Sequence, residues 1–150
     1  MLSYVDNLED TKMNYMTKKE LNDHNITRKE YLEGKFEETL YDKNEQKFIL
    51  QDVVNLGDVE YVKSLTNIIK ESKHDFKEVS SAAIQAAATN GNIEIADYLL
   101  EQGANTDIAK EHGTREIKDL IADRERKIFS ERLKNTTPQA KKQIQAKQIL

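Results

Sequence analysis

The sequence has no cysteine and no tryptophan, and only one proline and five glycines among its 150 residues. Without thiols there is no disulfide framework, no cysteine nucleophile and no zinc site built on cysteine. Long apolar runs are missing as well. The longest uncharged stretch, residues 79–93, is interrupted by Ser, Gln, Thr, Asn and Gly, so it does not read as a membrane span. Residues 1–10 have no basic start and no apolar central segment, which is not the pattern of a secretory leader. The resulting expectation is a reducing cytosol, the cell's own or a host's.

Hydrophobic residues make up 37% of the chain and charged ones 33%. The first figure is below the roughly 45–50% of an average domain, yet six tyrosines, four phenylalanines and a regular apolar pattern oppose disorder. Small residues must therefore fill much of the core of what reads as one cooperative domain. The net charge of −4 hides two halves of opposite sign. Residues 1–123 carry 25 acidic and 15 basic side chains, whereas residues 124–150 carry 2 acidic and 8 basic. An acidic body is followed by a basic tail.

An internal repeat organises the middle of the chain. Residues 49–62 align without a gap on residues 83–96, with Gln51 on Gln85, Gly57 on Gly91, Glu60 on Glu94 and, further on, Leu65 on Leu99. The glycines are 34 residues apart. A further step of 33 from Ala82 reaches Arg115, so that Glu116, Ile117, Leu120 and Ile121 form a degraded third copy in which Arg124 replaces the glycine. Each unit reads as helix, tight turn, helix and extended finger. In the middle unit Ala83, Ala86, Ala87 and Ala88 allow close helix approach, Asn90-Gly91 ends the first helix, and Ile93, Ala96, Leu99 and Leu100 give the second its apolar side. Residues 104–113 are polar and lack a helical period, which predicts a finger ending in a His112-Gly113 turn.

The run Ala87-Ala88-Thr89-Asn90-Gly91-Asn92-Ile93-Glu94-Ile95-Ala96-Asp97-Tyr98-Leu99-Leu100-Glu101-Gln102-Gly103-Ala104-Asn105 resembles the ankyrin repeat, A-A-x-x-G-x-x-E-I-x-x-x-L-L-x-x-G-A-x. The family's T-P-L-H start is replaced by Phe48-Ile49-Leu50-Gln51, Ala82-Ala83-Ile84-Gln85 and Arg115-Glu116-Ile117-Lys118. The first unit also lacks the G-A pair, so its second helix or its finger runs long. The resemblance implies an all-α fold, a short ankyrin-like helix-turn-helix solenoid over residues 44–123. Residues 1–43 would form an amino-terminal helical cap and residues 124–150 basic carboxy-terminal helices.

At the amino end, Thr17-Lys18-Lys19-Glu20 and Thr27-Arg28-Lys29-Glu30 fit capping boxes and predict two helices, the second carrying Tyr31, Leu32, Phe36 and Leu40. At the other end a helix bearing Ile128, Phe129 and Leu133 is expected to pack on the last unit. Thr137-Pro138 would start a final helix in which Lys141, Lys142 and Lys147 surround a thin apolar edge.

No constellation for catalysis is evident. His24, His74 and His112 stand apart, H-E-x-x-H is absent, and Gly34-Lys35 lacks the earlier glycine of a phosphate loop. Neither cofactor nor metal is called for, and the expected function is non-enzymatic. The ankyrin resemblance implies a protein partner held by finger tips and the exposed side of the first helices. Carried over residue by residue, the contacts are Asn55, Leu56, Thr89 and Asn90 at helix-helix turns, Glu78, Val79 and Ser81 in the first connection, and Glu111, His112 and Thr114 in the last finger. Leu56 and Val79 read equally well as partner contacts or as side chains tucked under a cap. The Lys-, Asn-, Ile- and Glu-rich composition hints at an AT-rich genome, where a bacterial effector or an inhibitor or immunity protein would fit. Two alternatives remain open: binding of nucleic acid or another acidic partner by the basic tail, and homo-oligomerisation through the amino-terminal helices.

Overall fold

The computed structural model describes residues 15–135. Those residues are all-α, with nine α-helices, one 3-10 helix and no strand. Residues 1–14 and the expected final helix from Thr137 fall outside them.

Both predicted capping boxes form. Thr17 Oγ1 accepts the Glu20 amide at 3.2 Å and starts α1 (Lys18–Asp23), and Thr27 Oγ1 accepts the Glu30 amide at 3.0 Å and starts α2 (Arg28–Phe36). In each box the glutamate carboxylate accepts the threonine amide in return, so two free donors are satisfied at each helix start. Beyond Phe36 the chain tightens into the 3-10 helix Glu37–Tyr41, which turns Leu40 fully inward. An aromatic cluster fixes this cap to the body. Tyr61 meets Tyr15 and Tyr31 edge-on at 5.6 and 6.1 Å, and the Lys35 ammonium lies 5.4 Å from the Tyr15 ring centre. Burial pushes the Lys35 ammonium below its usual pKa and the Tyr61 phenol above its own.

Three helix pairs follow. The first is α3 (Lys43–Leu56) with α4 (Val59–Glu71), and the second is α6 (Ser81–Asn90) with α7 (Ile93–Glu101). Between them lies the one-turn helix α5 (Phe76–Val79). The third is α8 (Thr106–His112) with α9 (Arg115–Lys134). First helices pack side by side, α3 on α6 and α6 on α8, and second helices do the same, α4 on α7 and α7 on α9. Small side chains permit this spacing: Ala83, Ala87, Ala88 and Ala109 are all without exposure between the first helices. Ile49, Leu50, Leu65, Ile68, Ile84, Leu99 and Ile117 are likewise fully buried, each contributing about 1.5–3 kcal/mol of transfer free energy. Ile93, expected in the core, is instead 43% exposed, because it opens α7 on the solvent side of Ile95 and Ala96.

The turns inside the pairs are closed in two ways. Gly57 and Gly91 take left-handed conformations, φ +81° and +69°, and their amides return to the preceding helix. Asp58 and Asn92 then cap the second helices, the carboxylate of Asp58 accepting the Glu60 and Tyr61 amides at 3.0 Å each and the Asn92 side chain accepting the Ile95 amide at 3.1 Å. At the third turn Gly113 is extended, with φ −77°, and Thr114 is the cap. Here glycine is needed for space: a Cβ would stand 2.5 Å from the Ala109 carbonyl oxygen and 2.7 Å from Ile117 Cγ2.

This arrangement revises the frame of the third unit. Gly113-Thr114-Arg115-Glu116-Ile117 corresponds to Gly91-Asn92-Ile93-Glu94-Ile95, so the step between turn glycines is 22 residues rather than 33. Helix α9 is therefore the second helix of its pair, and the segment expected to be an extended finger is the first helix, α8. Its amides are satisfied helically after Asn105 caps Asp107 and Ile108. The first connection is also helical, through α5. The first pair's second helix does run long, 13 residues against 9 in α7.

Helix α9 continues unbroken across residue 123, and Arg124, at the position once assigned to a glycine, bonds Asp97 of α7 at 2.8 Å. Ile128 does not pack on the last pair as expected. It is 46% exposed, at the side of a recess it shares with Asp97 and Glu101 of α7. Among buried polar groups, Gln46 donates to the Leu40 carbonyl at 3.1 Å and to Ser72 Oγ at 3.2 Å, while its own oxygen meets His74 Nδ1 at 2.9 Å. His74 thus has a local structural role, pinning the connection after α4 to α3.

Candidate interaction face

The structure gathers seven of the ten predicted contact residues on one edge. Asn55 and Leu56, Thr89 and Asn90, and Glu111 and His112 occupy the last two positions before Gly57, Gly91 and Gly113, and Thr114 follows the last of these. The edge is continuous. Asn90 Nδ2 donates to Asn55 Oδ1 at 3.1 Å, and Thr114 Cγ2 would lie 3.3 Å from a Cβ placed on Gly91. Asn55, Thr89, Asn90, Glu111 and His112 are exposed, whereas Leu56 is half-buried against the core and beside Tyr15 and Met16 of the cap. Glu111 and His112 are turn residues here, not finger tips, since the segment they end is a helix.

The other three lie away from that edge. Glu78, Val79 and Ser81 sit at α5 and the start of α6, the opposite end of a 10-residue helix from Thr89 and Asn90. Val79 is not a contact residue. It has no exposed surface, because α5 is wedged between α3 and α6 and turns this side chain into the core with Phe76. Glu78 is exposed but held by Lys43 at 2.9 Å and Lys47 at 3.5 Å, and the hydrogen bond from Lys43 keeps its carboxyl below the usual range. The Ser81 hydroxyl donates to the Lys77 carbonyl at 3.0 Å.

Leading away from the turn edge is a stripe that the residue-by-residue carry-over missed. On α3 the exposed positions are Asn44, Phe48, Gln51 and Asn55, spaced four, three and four apart and so on one helix face. The rows continue on α6, where Phe48 corresponds to Ala82, Gln51 to Gln85 and Asn55 to Thr89. Counting back from Gly113, the same rows reach Asp107 and Glu111 on α8. Phe48 is 58% exposed, the most exposed large apolar residue described. The stripe on α3 and α6 has no charged side chain, and α6 has none anywhere along its length. The signal was present in the sequence as the uncharged run of residues 79–93 and as Phe48 standing at the start of the repeat frame.

No group of three or more potential metal ligands occurs among the described residues, and no described helix is long and apolar enough to cross a membrane. His24 lies at the end of α1, His74 is engaged with Gln46, and His112 ends α8, so the three do not converge. Comparison with family models, with curated proteins and with solved structures finds no match for this chain.

Proposed function

We propose that this protein is a non-enzymatic interaction module of ankyrin-like type that binds a protein partner through the exposed side of its first helices and the adjoining turn edge. The observation that carries this reading is the convergence of Asn55, Thr89, Asn90, Glu111 and His112 on one continuous exposed edge from three separate helix pairs. Residues so far apart in the chain meet only because the pairs stack, and a stack of short pairs offers a broad surface where an enzyme would need an enclosed one. The polar, hydrogen-bonded character of the edge fits a partner that exchanges with water.

The test uses the intact chain as bait, beside a variant with Asn55→Arg, Asn90→Arg and Glu111→Lys, at two salt concentrations and with nuclease treatment. A single stoichiometric protein, rebinding when purified and lost from a variant of unchanged circular dichroism, is the expected result. Retention by the variant overturns the edge assignment. Loss on nuclease treatment transfers the function to the basic tail.

A further inference from the structure

The uncharged stripe constrains what the partner offers. In a chain one-third charged, the outer rows of α3 and α6 carry only Asn, Gln, Thr, Ala and Phe48, and the half-exposed Lys43 and Lys47 at their border are already engaged by Glu78. A charged group buried there would lose hydration and gain no counter-charge, so the matching region of the partner is uncharged. Gln51 and Gln85 each offer a carbonyl acceptor and an amide donor, and the mutually bonded Asn55 and Asn90 leave the Asn55 amide and the Asn90 carbonyl to face outward groups. That two-sided capacity is what a bare polypeptide backbone requires, with one N–H and one C=O per residue.

The stripe ends differently on its two sides. On α3 it carries the exposed ring of Phe48, and on α8 the same rows carry Asp107 and Glu111. Among the described residues neither carboxylate is within 4 Å of a basic group, and Lys110, the cation beside them on α8, is engaged by Glu125. Packed helices lie about 8–10 Å apart, so α3 to α8 spans roughly 16–20 Å. An extended chain covers that in about six residues at about 3.3 Å each.

Building on the interaction reading above, we infer that the partner is an extended polypeptide segment, uncharged between two anchors, lying across α3, α6 and α8. It places an apolar side chain on Phe48 and a Lys or Arg about six residues away, against Asp107 and Glu111. The amide row pairs with its backbone between those two anchors. Affinity comes chiefly from the apolar anchor, and direction and register come from the basic one.

A phage-displayed library of random dodecapeptides selected on the immobilised intact chain tests this. The expected outcome is a consensus with an apolar residue and a Lys or Arg five to seven positions apart and no Asp or Glu between them. A synthetic fluorescein-labelled consensus peptide should lose roughly tenfold or more in affinity, by anisotropy, against Phe48→Ala. It should weaken similarly against Glu111→Lys, and exchanging the peptide's basic residue for Glu should restore binding to that variant. Failure to enrich any peptide, an acidic consensus, or affinity unmoved by both variants overturns the inference. If the partner purified in the previous experiment is still released by the edge variant, the interaction reading survives and the contact is a folded surface. If that partner too is retained, both readings fall.

Discussion

The second and third helix pairs share the frame Gly-x-x-Glu-Ile yet reach the same hairpin with different means. In the second, α6 has 10 residues, buries Ala83, Ile84, Ala87 and Ala88, and turns through a left-handed Gly91. In the third, α8 has 7 residues, buries only Ala109, and turns through an extended Gly113 pressed against Ala109 and Ile117. Shortening a first helix removes lateral contact with the preceding pair, and the third pair recovers part of it through α9, whose Arg124 reaches Asp97 on α7. The hairpin turn is the element the two pairs share, and the helices around it differ in length and burial. A glycine can serve such a turn either by its allowed φ or by its missing side chain.

Truncating the equivalent isoleucines should separate the pairs most strongly. Ile95→Ala and Ile117→Ala each remove a fully buried side chain, and losses of about 2–5 kcal/mol are expected. Ile95 has a pair on both sides, so its loss should be the greater, as read by urea unfolding; equal losses would mean that the third pair is packed as tightly as the second. The turn glycines come next. Gly113→Ala forces overlap with a backbone carbonyl and should cost about 1–3 kcal/mol with Ala109 and Ile117 displaced, while Gly91→Ala strains φ by about 1–2 kcal/mol. Proton chemical shifts distinguish them, since the first should disturb Ala109 in α8 and the second Thr114, whose Cγ2 would stand 3.3 Å from the added Cβ; Ala109 unmoved in the first variant would contradict the crowding account.

The smallest effect is expected from alkaline titration. Tyr98 of the second pair corresponds to Leu120 in the third, and burial raises the Tyr98 phenol above 10.0. The unfolded chain then releases its proton first as pH rises, so the stabilisation is intact below about pH 10 and declines from there toward the raised folded value. Hydrogen exchange between pH 8 and 11, corrected for intrinsic rate, should show protection falling in α7 before α9, and simultaneous loss would remove tyrosine as the cause.

The helix starts and the first two pairs were legible because they rest on local chemistry: Thr with Glu three positions on, and Asn-Gly or Leu-Gly ending an apolar helix. A fixed period of 33 does not find the third pair, because its turn glycine follows Gly91 by only 22 residues. The polar α8 carries one buried alanine and no apolar stripe, so periodicity could not reveal it, although Gly113-x-x-Glu116-Ile117 could. Val79 was ambiguous for a different reason. A lone apolar residue in a connection looks the same whether it faces a partner or plugs a gap, and only the packing of α5 distinguishes the two.

Each pair touches chiefly the pairs next to it in the chain. The ends that must meet are therefore seldom far apart along the sequence, and little loop entropy has to be lost before contacts form. Such a chain can acquire its shape in the order of its synthesis, the first pair closing before the third exists, with α9 the last of the described helices to find its place.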